Sequence, residues 1–176
     1  MSQENKPRRI PTRLKGYDYT LPGGYFVTLC THHRQNLFGR VVDGEMCLNQ
    51  LGRMVEAAWL EIPEHDPAVL LDEYIVMPDH FHGIIFLNRE KPVGERHASP
   101  LPGNASGTLP TIIGSFKSAV SKRINRLRNT PGALLWQRSF YDRIIRDEKE
   151  LDTFRAYIRA NPLRQEIDIA NGPLDE

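Results

Sequence analysis

Two histidines separated by one residue are the first side chains in this sequence whose types and spacing could do chemistry. His80 and His82 stand between two short apolar runs, 74–77 and 83–87, whose β-branched and aromatic residues predict strands. Residues two apart in a strand share a face, so both imidazoles point the same way. Beside the carboxylate of Asp79, the pair could bind a divalent metal ion. The alternative is that both are ordinary polar residues at a strand end.

A tyrosine and an asparagine four residues apart form the second pair. A helix is predicted to begin after Asp147, with Glu150 completing a capping box, and Pro162 is predicted to end it. Tyr157 and Asn161 then lie on one helix face, one turn apart. The hydroxyl and the amide oxygen can converge on one point, which could be the point that the histidines address. The alternative is a core tyrosine followed by an ordinary asparagine at a helix end.

Composition limits the classes of protein to which the chain can belong. Its 176 residues suit one domain with a real core, and 23 Lys and Arg against 22 Asp and Glu exclude a uniformly basic protein. Cys30 and Cys47 lack the paired spacing of a disulfide framework or a zinc knuckle. We find neither an apolar leader nor a membrane span, and we therefore expect a cytoplasmic protein.

Two basic stretches could contact a phosphate backbone. The predicted helix 109–127 and the residue after it carry five cations with no intervening acid: Lys117, Lys122, Arg123, Arg126 and Arg128. Such a cluster favours phosphate contact over a merely solvated face. Residues 1–16 are also basic, and they are either a flexible tail or an arm that follows a nucleic-acid backbone.

A third stretch mixes aromatic and basic side chains. Residues 134–146 are predicted to form a strand in which Trp136, Phe140 and Tyr141 interleave with Arg138, Arg143 and Arg146. Aromatic rings can stack on bases while arginines hold phosphates. The same pattern is common in sheet cores.

The other predicted elements complete a single domain. They are a strand at 25–31, a hairpin at 41–48 and a helix at 50–62. We expect one domain over 17–166, interrupted by a long internal loop at 88–108. A basic arm, 1–16, precedes it, and a tail, 167–176, follows it.

Four stretches taken together resemble a known family. YIVMPDHFHGIIF, GSFKSAVSKRIN, WQRSFYDRIIRDE and AYIRANP occur in the order and at the spacing of the REP-associated tyrosine transposases. These are IS200-like members of the HUH single-tyrosine transposases. The resemblance implies an α+β, ferredoxin-like fold with a central antiparallel sheet of four or five strands and packed helices. One departure is Arg143, where relatives often carry His.

The resemblance also implies an activity. His80, His82 and Asn161 would bind Mg²⁺ or Mn²⁺, and Tyr157 would attack single-stranded DNA at a REP-type hairpin to form a 5′-phosphotyrosine. No nucleotide cofactor is expected, and the protein would act as a monomer or a homodimer. The DNA-binding candidates are Lys117, Lys122, Arg123, Arg126, Trp136, Arg138, Tyr141 and Arg143.

Three alternatives stay open. The chain could be a nuclease that needs a metal but forms no covalent intermediate, or a catalytically silent protein that only binds hairpin DNA. If the covalent mechanism holds, Tyr141 competes with Tyr157 as the nucleophile, although a strand position lacks the amide partner four residues on.

Overall fold

The computed structural model describes residues 17–19, 21–88 and 107–171, with side chains described through 165. The predicted arm 1–16 and most of the predicted loop 88–108 lie outside these residues. The strands are β1 (Gly23–Cys30), β2 (Gly39–Val42), β3 (Glu45–Leu48), β4 (Val69–Val76), β5 (His80–Leu87) and β6 (Tyr141–Ile145). The helices are α1 (Gln50–Leu60), α2 (Ile62–His65), α3 (Leu109–Arg128) and α4 (Glu148–Asn171).

Four strands form the central antiparallel sheet, in the order β4-β5-β1-β6. The hairpin of β2 and β3 forms a separate two-stranded sheet. With the helices that connect them, the central strands follow the β-α-β-β-α-β order of ferredoxin-like folds. The predicted α+β architecture is therefore confirmed.

The two faces of the sheet are covered by different helices. Along β5, Phe81 and Ile85 point to one face, where they pack with Trp59 of α1 and Phe116 of α3. We call this the core face. His80, His82 and Ile84 point to the opposite face, which α4 covers, and we call it the α4 face.

Side-chain caps fix where the helices begin. The Asn49 side chain accepts a hydrogen bond from the Gly52 amide at 3.0 Å, and Asp147 accepts one from the Glu150 amide at 2.8 Å. Each cap satisfies a backbone donor that the first helical turn leaves free. Within the described residues, no helix is both long and apolar enough to cross a membrane.

The predicted strand at 134–146 is wrong over its first half. Only β6 is a strand, and Trp136 makes an isolated bridge to Thr31. The reason lies in α3, because the Lys117 ammonium donates to the carbonyls of Gln137 at 2.7 Å and Arg138 at 3.2 Å. These contacts occupy backbone acceptors that a continuing strand would use, and the described pairing with the end of β1 consists of the bonds made by the Leu135 carbonyl and the Gln137 amide.

The predicted end of the last helix at Pro162 is also wrong. α4 continues through Pro162 to Asn171, so residues 167–171 of the predicted tail are helical. A proline inside a helix removes one backbone hydrogen bond at a cost of about 3 kcal/mol. Asn161 and Pro162 are both buried where the helix passes through the proline.

Candidate active site

The two histidines lie side by side at the start of β5. Their ring centroids are 4.6 Å apart, on the α4 face. In the register of the sheet, His80 pairs with Cys30 and His82 pairs with Thr28 of β1. Cross-strand partners share a face of the sheet, so Cys30 and Thr28 flank the two imidazoles on the α4 face.

One nitrogen of each imidazole is engaged by a neighbouring group. His82 Nδ1 lies 2.8 Å from Thr28 Oγ1, and His80 Nδ1 lies 2.6 Å from the Asp79 carboxylate. Metal-binding histidines typically make such a bond with one ring nitrogen, which fixes the ring and leaves the other nitrogen for the metal. The residues present therefore fit a metal site that uses the two Nε2 atoms.

Two groups around the histidines were missed by the sequence analysis. Thr28 could be found only once the register of β1 against β5 was known. Arg34, whose guanidinium lies 3.3 Å from Asp79, follows β1 in a turn where His33 and Arg34 both have positive φ values. Nothing in their local sequence marks either residue.

Burial controls the charge of this cluster. His82 is 4 % exposed, and burial, followed by the positive charges of His80 and Arg34, lowers the pKa of His82 to about 3. Burial opposes ionisation of Asp79, but its bond to His80 and the charges of His80 and Arg34 leave its pKa below the usual value. His82 is neutral at physiological pH, which is the form that binds a metal.

α4 brings the predicted tyrosine to the histidines. The Tyr157 ring packs edge-on against His82 at a centroid distance of 5.3 Å and against Phe26 at 5.9 Å. Phe154, one turn earlier, stacks on Phe26 at 4.6 Å. Aromatic packing under α4 therefore sets the position of Tyr157.

The predicted third ligand lies one helical turn beyond Tyr157. Asn161 is 6 % exposed, so its side chain belongs to the buried side of α4. Among the described residues, no group of three or more His, Cys, Asp and Glu side chains could hold a metal ion. The predicted ligand set of His80, His82 and Asn161 is not such a group, because its third ligand would be an amide oxygen.

Ion pairs dock α4 onto the edge of the sheet. The Arg155 guanidinium lies 2.6 Å from Asp72, and Arg159 pairs with Glu73. Both carboxylates lie in β4 where its register shifts between Leu71 and Tyr74. The helix that carries Tyr157 is thus held against the histidines of its own chain.

The DNA-binding candidates on α3 divide into two groups. Lys117 and Arg123 contact the fold itself, the latter through two bonds to Glu61, one of them at 3.0 Å. Lys122 and Arg126 are exposed. An open groove of about 430 Å³ separates this part of α3 from residues 132–138.

The candidates of residues 134–146 also differ from one another. Trp136 is buried against Phe38 at 5.3 Å, so its ring packs in the core. Arg138, Tyr141 and Arg143 are exposed. Tyr141 pairs with Thr28 and Arg143 with Phe26 across β1, so both lie on the α4 face, in the same rows as the candidate site.

Comparison with known proteins places the chain in a family. It is 37 % identical over 167 residues to an uncharacterised protein of Haemophilus influenzae, and the match covers 91 % of each chain. No protein-family model matches the sequence.

Two solved structures align with the chain, and the first of them shares its fold. A REP-associated tyrosine transposase bound to a REP hairpin aligns with a TM-score of 0.51 and 20 % identity, over 86 % of this chain and 74 % of that one. A proposed transposase from Deinococcus radiodurans R1 aligns with a TM-score of 0.47 and 18 % identity, over 83 % of this chain and 95 % of that one. The chain therefore belongs to one family with the Haemophilus influenzae protein, and its fold is that of the REP-associated tyrosine transposase solved with a REP hairpin.

Proposed function

We propose that this protein is a metal-dependent transposase that cleaves and rejoins single-stranded DNA at REP-type hairpins through a 5′-phosphotyrosine. One observation carries the proposal: Tyr157 packs against His82, and each histidine has one ring nitrogen engaged by a neighbour. A candidate nucleophile therefore lies beside two candidate metal ligands. The fold shared with a transposase supports the same conclusion.

The reaction needs one bond to form and one to break. The Tyr157 hydroxyl oxygen bonds to the phosphorus, the bond from phosphorus to the 3′ oxygen breaks, and the phenolic proton ends on the departing 3′-hydroxyl. His80, His82 and Asn161 would hold Mg²⁺ or Mn²⁺, and the bound ion would supply Lewis-acid chemistry at the phosphate. The packing of Tyr157 against Phe26 and His82 holds the ring in place for the attack.

Rejoining follows from the same chemistry. The phosphotyrosine keeps the energy of the phosphodiester bond, so attack by another 3′-hydroxyl restores a DNA strand and frees Tyr157. No nucleotide cofactor is required. Because Tyr157 and the histidines belong to one chain, a monomer has all the groups that the proposed reaction uses.

The exposed basic and aromatic residues suggest a path for the DNA. Tyr141 and Arg143 lie on the α4 face, where Tyr141 could stack on a base and Arg143 could contact a phosphate. Arg138 precedes them and lines the groove beside α3, where Lys122 is exposed. We propose that the single-stranded segment follows β6 and that phosphates of the hairpin reach this groove.

The test is covalent capture on a denaturing gel. Purified wild-type protein, Tyr157→Phe and Tyr141→Phe are each incubated with Mn²⁺ and a labelled single-stranded REP-type hairpin. We expect a covalent protein–DNA band for the wild type and Tyr141→Phe, and none for Tyr157→Phe.

Other results would point to another function. Cleavage without a covalent band, unaffected by Tyr157→Phe, would identify a nuclease without a covalent intermediate. Tight hairpin binding without cleavage in Mn²⁺ or Mg²⁺ would identify a binding protein.

A further inference from the structure

Three arginines of α4 have different surroundings. Arg155 and Arg159 pair with the carboxylates of Asp72 and Glu73, and these contacts hold the helix on the sheet. The Arg164 guanidinium carbon instead lies 5.3 Å from the centroid of the Tyr157 ring. Among the side chains that the structure describes, no carboxylate pairs with Arg164. Its charge is therefore directed to the candidate nucleophile.

Helical geometry explains how Arg164 reaches this position. Residues four and seven positions after Tyr157 lie on the same side of a helix, which places Asn161 and Arg164 in one row with it. The row exists only because α4 continues through Pro162. A helix that ended at Pro162 would have no defined position for Arg164.

We propose that Arg164 binds the scissile phosphate, through a contact between its guanidinium and a non-bridging oxygen. The inference rests on the proposed function, since it adds a residue to the same site. During the attack of Tyr157, negative charge accumulates on the non-bridging oxygens, and a fixed cation stabilises it. A guanidinium offers two parallel donors to a phosphate, which the ammonium of lysine does not.

Two other described arginines, Arg34 and Arg155, are less suited to this role. Arg34 pairs with Asp79, which in turn bonds to His80, so its charge is balanced before any DNA binds. Arg155 contacts Asp72, Asp152 and Glu148. Each would have to break an ion pair to bind the phosphate, whereas Arg164 would keep its place on the Tyr157 ring.

The experiment compares a phosphodiester with a methylphosphonate at the scissile position of the hairpin. The methylphosphonate lacks the charged oxygen that Arg164 would contact. Single-turnover rates of covalent adduct formation are measured at saturating DNA for the wild type, Arg164→Ala and Arg164→Lys. Arg159→Ala is the matched control, because it also removes an exposed arginine from α4.

The proposal predicts a loss that depends on the substrate. Arg164→Ala should slow adduct formation by about 10²-fold on the phosphodiester, the usual effect of removing one donor to a transition-state oxygen. On the methylphosphonate, its rate should be within a few-fold of the wild-type rate. Arg164→Lys should recover part of the loss, and Arg159→Ala should change both rates by the same factor.

Two results would overturn the proposal, and they differ in what else they affect. An equal loss on both substrates for Arg164→Ala would show that Arg164 acts only through packing, and it would leave the tyrosine mechanism standing. A wild type that forms no adduct on the phosphodiester would overturn both the role of Arg164 and the proposed function.

Discussion

The two faces of the sheet are built from different kinds of side chain. On the core face, Trp59, Phe81 and Phe116 belong to a large apolar cluster that α1 and α3 cover. On the α4 face, the apolar cluster is small, and the buried polar residues His82 and Asn161 lie beside it. Buried polar groups cost free energy unless they are satisfied. The comparison indicates that the core face stabilises the fold, and the chemistry that we propose belongs to the α4 face.

The charged residues of the two faces follow the same division. Lys117 and Arg123 of α3 are engaged by backbone carbonyls and by Glu61, so part of the basic stretch has a structural role. On the α4 face, Arg143 is exposed on β6, and Arg164 lies over Tyr157. A run of cations in a sequence thus does not identify a nucleic-acid surface until their partners are known.

The largest expected effect separates stability from activity. Trp59→Ala, on the core face, should lower the free energy of unfolding by about 3–5 kcal/mol, since it removes a fully buried side chain. Tyr157→Phe should change that free energy by no more than about 0.5 kcal/mol and abolish the covalent adduct. Urea unfolding and the adduct assay measure the two quantities. An adduct from Tyr157→Phe, or a Trp59→Ala protein as stable as the wild type, would contradict this division of roles between the two faces.

A second prediction concerns the groups that bond to the histidines. Thr28→Val and Asp79→Asn should each weaken Mn²⁺ binding by about 10–100-fold, because the imidazoles lose the partners that fix their rings. Isothermal calorimetry of the protein without DNA measures this directly. Thr28→Ser keeps the hydroxyl and should bind Mn²⁺ nearly as well as the wild type. An unchanged Mn²⁺ affinity in both Thr28→Val and Asp79→Asn would contradict the assignment of the histidines as metal ligands.

A third prediction tests the docking of α4. The bond from Arg155 lowers the pKa of Asp72, so the pair stabilises the folded state when pH lies above the unfolded pKa. Asp72→Asn should therefore lower the free energy of unfolding by about 1 kcal/mol at pH 7. The difference from the wild type should vanish as pH falls from about 4 through the lower folded pKa. A difference that stays constant across this range would contradict the role assigned to the ion pair.

The smallest expected effect distinguishes the two kinds of cation on α3. Lys122→Ala should weaken hairpin binding and lower the salt dependence of the binding constant by about one unit. Lys117→Ala should instead lower stability by about 1 kcal/mol, since its ammonium bonds to the carbonyls of residues 137 and 138. Titrations at several salt concentrations test the first change, and an unchanged slope would exclude α3 from the interface.

The sequence predicted most elements because their signals are local. Hydrophobic periodicity marks β1, β4 and β5, and capping residues such as Asn49 mark the helix starts. The same periodicity places His80 and His82 on one face. The sequence offered the meeting of Tyr157 with the histidines only as one possibility, which the family resemblance favoured, because nothing local records which residues α4 will cover.

The sequence predicted two features wrongly, and both involve contacts between segments that are distant in the chain. The sequence predicted a strand over residues 134–146. In its first half the chain instead forms a loop, whose carbonyls at residues 137 and 138 bond to the distant Lys117. Pro162 is a strong local signal for a helix end, but α4 continues through it at a point where Asn161 and Pro162 are both buried. That error also concealed Arg164, whose spacing from Tyr157 matters only in a continuous helix.

The most direct test of Tyr157 as the nucleophile is to locate the covalent bond by mass spectrometry. Wild-type protein is reacted with the hairpin in Mn²⁺, and the adduct is digested with trypsin and a nuclease. Cleavage after arginine places Tyr157 in the peptide AYIR and Tyr141 in SFYDR. We predict a nucleotide attached through phosphate to the tyrosine of AYIR. A nucleotide on SFYDR, or on no tyrosine at all, would contradict this prediction.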